Sequence, residues 1–480
     1  MDNFKKKVIT SLIWKFLERG GTQIVQFLIQ IILARLLSPK DYGVVALTSV
    51  FITVATVFVQ SGLSTALIQK KEVDEEDYSS VFYVSILIST IFYSILFSFA
   101  PYIAIFYKVA ELKNILRVLG IVLFIGAYNS IQQSIIEKNM EFKKLFSSSF
   151  GAVLISGIFG VYLAYEGYGI WALVFQQLIN QVLVAIIMFI NVRWKPKFIF
   201  SLKKIKILFS FGWKLLLSSL IDTLYRELTN LIVGKKYSAS MLGYYNRGTQ
   251  FPQVIVGNFN GAIQSVLFPT LSLLQREREK LKQVMRRGII TSSYIVFPCM
   301  LGLVVISEPL IKVVLTDKWL PCVPYLKIFC FSYALWPIHT ANLQAINAIG
   351  RSDIFLILEI IKKIIGIIII FITSRYSPYA MAVGVLITGI ISSFINSYPN
   401  KKLLNYSYFD QLKDLYPAFL ISLIMAFSIY FIKFLSFSII MTLILQILVG
   451  IIIYILISYL FKVESFMYIL GILKKFKKTV

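Results

Sequence analysis

Histidine is nearly absent. His339 is the only one in 480 residues, and a single imidazole does not make a metal site without several partner ligands. Cysteine is scarce: Cys299, Cys322 and Cys330 fall in apolar stretches with no CxxC or paired spacing, so they define neither a disulfide framework nor a metal motif. No Gly-rich phosphate cradle of the P-loop type occurs, which excludes an ATP-driven pump unless a separate subunit supplies the motor. Charge is thin as well, at 15% of residues, where a soluble domain carries about 25%. No loop is long enough to house a soluble domain. The first apolar segment is too long and too polar for a cleaved signal peptide, and no small-residue cleavage site follows it.

What fills the chain is apolar. Hydrophobic residues make up 58%, and the mean hydropathy is +0.78. About 14 segments approach the roughly 20 apolar residues that a spanning helix needs. They run near Ile9–Ala34, Tyr42–Ile68, Ser79–Ile103, Leu112–Ile136, Leu145–Ala164, Tyr168–Val192, Phe209–Gly234 and Met241–Phe268. The rest lie near Gly288–Leu315, Cys322–Ala348, Ile354–Thr373, Tyr379–Phe394, Leu415–Phe434 and Phe437–Leu460. Inside lipid every backbone N–H and C=O must be satisfied within the protein, so the expected fold class is an all-α integral membrane bundle.

The net charge is +25. Its distribution argues for topology rather than nucleic acid, since no groove-reading motif accompanies it. The basic clusters Lys5–Lys7, Lys138–Lys144, Arg193–Lys206, Arg276–Arg287, Lys401–Lys413 and Lys474–Lys478 occupy alternate loops. Roughly 29 basic residues fall on one side and about 11 on the other, the positive-inside bias. Both termini are therefore expected in the cytoplasm, with the basic face touching anionic membrane lipids. The acidic loop Lys70–Tyr78 lies on the same side, and acids count little in this rule.

Weak internal repetition organises the segments. Trp14-Lys15 recurs as Trp213-Lys214, and Arg35, Ser38 and Gly43 recur as Lys235, Ser238 and Gly243. Gln133 and Ile135 recur as Gln344 and Ile346, and Tyr168 as Tyr379. The spacing predicts a six-helix lobe over 1–192, a basic cytoplasmic linker over 193–207 and a second six-helix lobe over 208–400. Two extra helices and a basic tail fill 401–480. An even number of spans per repeat places the pseudo-two-fold axis along the membrane normal, as in transporters whose lobes rock about a shared site.

Polar residues inside the segments mark candidate cavity faces. At 100° per residue, Lys15, Glu18, Arg19, Gln23, Gln26 and Gln30 share an arc of about 140° on the first helix. Ser218, Ser219, Asp222, Thr223, Arg226 and Asn230 repeat the design on the seventh. Asn246, Gln250, Gln253, Asn260 and Gln264 form an amide stripe on the eighth, joined by Gly257 and Gly261. Thr53, Thr56 and Gln60 make a milder face on the second. Interhelical glue accounts for isolated amides, at about 0.6 kcal/mol each; it does not call for five on one stripe or for charges in mid-span. Asp222 and Arg226, at i,i+4, also neutralise each other. Lys15, Arg19, Lys214, Arg226 and Arg247 outnumber Glu18, Asp222 and Glu227. The expected cavity is therefore net basic and amide-rich, suited to a phosphorylated, hydroxylated solute.

Several stretches carry a family likeness. They are Gly62–Glu72 (GLSTALIQKKE), Ala100–Tyr107 (APYIAIFY), Glu137–Leu145 (EKNMEFKKL), Ala164–Leu173 (AYEGYGIWAL), Leu242–Arg247 (LGYYNR), Phe268–Gln275 (FPTLSLLQ), Asp317–Leu320 (DKWL) and Ala345–Asp353 (AINAIGRSD). With them the chain resembles the polysaccharide transporters of the multidrug/oligosaccharidyl-lipid/polysaccharide exporter superfamily. It looks most like Wzx-type O-antigen and exopolysaccharide flippases of the WzxC group. The last two helices match less well. The resemblance implies a flippase rather than an enzyme. Its cargo would be an undecaprenyl-diphosphate-linked oligosaccharide, moved by alternating access across the bacterial cytoplasmic (inner) membrane. It implies lipid-linked oligosaccharide, membrane lipids and polysaccharide polymerase machinery as partners. No cofactor is expected; the energy would come from a proton or sodium gradient, with Asp222 the best mid-span acid to sense it. Rival readings are a lipid II flippase, a MATE-type multidrug or cation exporter, and a membrane enzyme such as a polymerase or lipid-linked glycosyltransferase. The last usually needs larger outward loops than these.

Overall fold

The computed structural model describes residues 2–60 and 62–479, with the side chains of 2–9, 12, 13, 16, 19, 262 and 472–479 outside the description. Among the described residues the chain is helical throughout, with no strand. In order the helices are α1 (Asp2–Leu36), α2 (Pro39–Gln60), α3 (Leu63–Gln69), α4 (Glu75–Tyr107), α5 (Leu112–Leu119), α6 (Val122–Lys138), α7 (Phe142–Tyr165), α8 (Ile170–Val192) and α9 (Leu202–Lys236). Then follow α10 (Ala239–Leu273), α11 (Arg278–Val314), α12 (Val323–Ala334), α13 (Trp336–Ala348), α14 (Ser352–Thr373), α15 (Pro378–Leu404), α16 (Tyr408–Phe431), α17 (Ile439–Leu460) and α18 (Glu464–Thr479).

Among the described residues, eleven helices are long and apolar enough to cross a membrane, against the 14 segments expected. Three segments fall short for physical reasons. α1 is interrupted by charge at Lys15, Glu18 and Arg19, leaving the shorter apolar stretch Gly20–Leu36. The segment Cys322–Ala348 divides into α12 and α13 at Leu335, just before Pro337, which has no backbone donor to continue a helix. α14 carries Glu359, Lys362 and Lys363, with Lys362 Nζ 2.5 Å from Glu359 Oε1.

The chain forms two compact units, Met1–Gly243 and Tyr244–Val480. In the first, α7 packs on α1 and on α8, the latter along a stripe of small buried residues spaced by four: Ser148, Ala152, Ser156 and Gly160. Such stripes let membrane helices approach closely. A Cβ at Gly160 would lie 2.7 Å from Gln176. α9 packs on α2, α3 and α4, so the helix that leads the sequence repeat sits within this unit. The repeat-related glycines meet their repeat-related partners: a Cβ at Gly43 would stand 1.6 Å from the Ala239 carbonyl oxygen, and one at Gly243 2.1 Å from that of Pro39.

The acidic loop has a structural use. Asp74 caps α4 in a reciprocal box with Asp77, a device worth about 1 kcal/mol. Asp77 is buried and accepts from Lys70 Nζ at 2.6 Å, and Lys204 Nζ bridges Asp74 at 2.5 Å and Glu76 at 2.6 Å. The Lys204 hydrogen bond, with help from the Asp77 amide, holds the Asp74 carboxyl down at about 2.

In the second unit α11 is central and packs against α12, α13, α16 and α17. Its buried face of Leu281, Met285, Ile289, Tyr294, Phe297 and Leu301 joins Ile338 and Ala341 of α13, Leu415, Ile421 and Met425 of α16, and Tyr454 of α17. The Tyr454 hydroxyl donates to the Tyr294 carbonyl at 2.6 Å. The Arg286 guanidinium forks onto Asp414 at 2.8 and 2.9 Å and onto Glu464 at 2.9 and 3.0 Å, tying α11, α16 and α18 at one end of the unit.

Candidate functional site

The N-terminal unit contains a half-open cavity of about 620 Å³, a volume in the range of small-molecule sites. Five helices build it, each presenting one stripe at helical spacing, and Leu119 at the end of α5 completes the wall. α1 offers Glu18, Thr22, Gln26 and Gln30, four apart. α2 offers Ser49, Ile52, Thr53, Thr56 and Gln60. α6 offers Val122, Gly126, Asn129, Ser130 and Gln133. α7 adds Leu145, Ser149 and Val153. α8 presents Gln176, Gln177, Asn180, Gln181, Val184 and Met188.

The polar lining is mostly amide and hydroxyl. Among the described residues the only ionisable side chain is Glu18, and the lining has no lysine, arginine or aromatic ring. Lys15 Nζ lies 3.5 Å from Glu18 and 3.7 Å from Glu137, which in turn accepts from Gln133 Nε2 at 3.0 Å. This places a small mixed-charge cluster at the Glu18 end. Elsewhere the amides hold one another: Asn129 Nδ2 donates to Gln181 Oε1 at 3.2 Å, and Asn180 Nδ2 to Ser156 Oγ at 3.2 Å. Thr22 Oγ1 and Asn129 Oδ1 are buried with no hydrogen-bond partner among the described residues. Buried polar atoms are normally paired, so these two offer unused capacity to a hydroxylated ligand.

Of the residues expected from the first helix, Gln26 and Gln30 line this cavity and Gln23 is not in the lining. The Arg19 side chain lies outside the described residues. On α9, Asp222 Oδ2 sits 3.2 Å from Arg226 Nε, and Asn230 Nδ2 donates to Glu227 Oε2 at 2.7 Å. These residues stand apart from the cavity lining. On the part of α10 that belongs to the second unit, Arg247 is buried; its guanidinium donates to Gln250 Oε1 and lies 5.0 Å from the Trp319 ring centre. Asn260 Oδ1 accepts from Thr340 Oγ1 at 2.5 Å, Asn246 is half-buried, and Gln253 and Gln264 are exposed. The amides of α8 were not among the expected residues. Their signal is the run Gln176-Gln177-Leu178-Ile179-Asn180-Gln181, with polar residues at i, i+1, i+4 and i+5. No group of three or more His, Cys, Asp or Glu among the described residues is placed to hold a metal ion.

A sequence model of the family described as "Polysaccharide biosynthesis protein" matches residues 32–324. The chain is 24% identical over 364 residues to the succinoglycan biosynthesis transport protein ExoT of Rhizobium meliloti, covering 75% of this chain and 73% of that one. It is 25% identical over 359 residues to the teichuronic acid biosynthesis protein TuaB of Bacillus subtilis, covering 74% of each. To the lipopolysaccharide biosynthesis protein WzxC of Escherichia coli it is 22% identical over 428 residues, covering 88% of this chain and 86% of that one. Among solved structures, the lipid II flippase MurJ in an inward closed conformation aligns with a TM-score of 0.77 at 19% identity, covering 94% of this chain and 98% of that one. An inward-facing MATE multidrug transporter of the MOP superfamily aligns with a TM-score of 0.62 at 16% identity, covering 80% and 94%. At these identities the structural matches speak for the fold.

Proposed function

The chain belongs to the polysaccharide biosynthesis protein family, and from that premise we propose that it is a flippase for undecaprenyl-diphosphate-linked oligosaccharides. It would carry them across the cytoplasmic membrane by alternating access of two six-helix lobes, 1–192 and 208–400, and hand them to polysaccharide polymerase machinery. Both termini would face the cytoplasm.

The observation that carries this reading is the chemistry of the N-terminal cavity. Its amides and hydroxyls both donate and accept, which matches the hydroxyls of a neutral glycan. A lipophilic cation calls for acids and aromatic walls, and the described lining offers one acid and no ring. A diphosphate calls for arginine or lysine. The cationic residues Arg19, Arg226 and Arg247 are the proposed partners of the diphosphate, and the amides of α1, α6 and α8 those of the sugars.

Gly126 provides the test. It lines the cavity, and a Cβ added there meets nothing within 4 Å. A side chain at this position therefore starts into open space, so Gly126→Leu takes up cavity volume while Gly126→Ala leaves it open. Translocation is measured in proteoliposomes as accessibility of a prenyl-diphosphate-linked oligosaccharide to an external lectin. Gly126→Leu should lower it at least tenfold at unchanged protein abundance, and Gly126→Ala should retain it. Wild-type rates in Gly126→Leu would remove this cavity from the cargo path.

A further inference from the structure

We propose that a second, basic pocket in the C-terminal unit binds the phosphodiester head group of an anionic phospholipid. This site does not depend on the flippase reading. The pocket holds about 320 Å³ and lies at the far end of α11 from Arg286. It is bounded by α12, the 3₁₀ turn Ile432–Leu435 and the first turns of α17.

Three lysines converge there from separate elements: Lys312 from α11, Lys327 from α12 and Lys433 from the turn. The only acid in the described lining is Glu308. It lies 3.3 Å from Lys433 Nζ and 3.8 Å from Lys312 Nζ, both longer than the roughly 2.8 Å of a charge-assisted hydrogen bond. One carboxylate thus stands loosely between two ammoniums and saturates neither. The contrast is Arg286 at the other end of the same helix, whose four contacts of 2.8–3.0 Å are tight. Lys327 is exposed, and its side chain makes no hydrogen bond or ion pair among the described residues. The pocket therefore keeps an excess of positive charge that is not neutralised internally.

A second observation comes from Gln446, which is 2% exposed in the same lining. Its Nε2 donates to the Ile429 carbonyl at 3.1 Å, but its Oε1 is buried with no partner among the described residues. A buried acceptor left open costs about 1–3 kcal/mol and is satisfied by a donor. A phosphodiester head group bearing hydroxyls supplies both needs, phosphate oxygens to the lysines and an O–H to Gln446 Oε1. Val304, Val305, Phe437 and Ile439 give the apolar wall on which an acyl ester would lie. Lys312 and Lys433 each follow an apolar span, the depth at which lipid phosphates sit and lysine side chains reach out to them.

The probe is phosphatidylglycerol, with phosphatidylcholine as the zwitterionic control. The full-length protein in detergent is titrated with each, and bound lipid is counted by native mass spectrometry. Wild type should retain phosphatidylglycerol about twentyfold over phosphatidylcholine. Lys327→Gln should cut that preference about fivefold, and Lys327→Gln with Lys433→Gln should abolish it. Lys413→Gln, in the separate groove beside Arg286, should leave it unchanged. Equal retention of the two lipids by wild type, or an unaltered preference in Lys327→Gln, would overturn the proposal. So would displacement of phosphatidylglycerol by millimolar inorganic phosphate, which would make this a free-anion site. Should the double variant misassemble, the single exposed substitution decides the matter.

Discussion

The extra helix α16 is joined to α13 and α15 by a fully buried amide cluster, and its energetics yield a sharp prediction. Asn342, Ser397, Asn400 and Gln411 are all inaccessible. Gln411 Oε1 accepts from Asn342 Nδ2 at 2.8 Å and from Ser397 Oγ at 3.2 Å, while its Nε2 donates to Asn342 Oδ1 at 3.0 Å. Asn342 Oδ1 also accepts from Asn400 Nδ2 at 2.7 Å. In Gln411→Leu every group left behind keeps another partner. Asn342 Nδ2 still donates to the Ile338 carbonyl at 2.8 Å, and Ser397 Oγ to that of Ser393 at 2.8 Å. The cost is three bonds at about 0.6 kcal/mol each, about 2 kcal/mol in all. Asn342→Leu is worse: four bonds go, and Gln411 Nε2 loses its acceptor inside the bundle, so an orphaned buried donor brings the cost to about 4 kcal/mol. In the double variant the orphan is gone. It should cost about 3 kcal/mol, where independent effects would give about 6. Reversible unfolding in SDS micelles, followed by tryptophan fluorescence on the four proteins, measures the cycle. Additivity within about 0.5 kcal/mol would refute the shared-network account.

Two further outcomes are expected. Gly43→Ala and Gly243→Ala should each sharply lower the folded yield in the membrane, because the added Cβ meets backbone carbonyls that have nowhere to go; Gly20→Ala, with nothing within 4 Å of its Cβ, should be neutral in the same expression assay. If Asp222 couples transport to an ion gradient, Asp222→Asn should uncouple transport in vesicles with imposed proton or sodium gradients while preserving cargo binding; if it only neutralises Arg226, the Asp222→Asn, Arg226→Gln variant should restore full gradient-dependent activity.

The legible parts of the structure were those set by local chemistry. Apolar runs predicted the helices, because lipid leaves the backbone no other way to satisfy itself. The i,i+4 stripe on α1 placed Gln26 and Gln30 on one face, and both line the cavity. Less legible was whatever depends on which faces meet. The stripe on α10 is as regular as that on α1, yet Arg247 turns inward to Gln250 and to Trp319, a residue of a different element. Nothing local to α10 announces that neighbour. The α8 amides went unread for a different reason. They carry no charge, and the cost of a mid-span charge, which marks the other faces, leaves no sign on neutral amides, which make up most of the polar lining.

That neutrality bears on how the proposed cargo would be handled. Charge counted along the sequence led to an expectation of a net basic cavity, whereas the described lining in the N-terminal unit holds a single acid and no base. Transport asks for binding strong enough to admit a solute and weak enough to release it. A buried ion pair with a phosphate would be slow to part, since either charge left alone in a low-dielectric cavity is costly. Amides exchange sugar hydroxyls for water at about 1 kcal/mol per contact, and they can serve as donor or acceptor. A glycan seated among them is held by many small terms, none of which alone controls its release. The strong terms then belong with a cation outside this lining such as the exposed Arg226, where water or the neighbouring carboxylate of Asp222 can replace the departing phosphate.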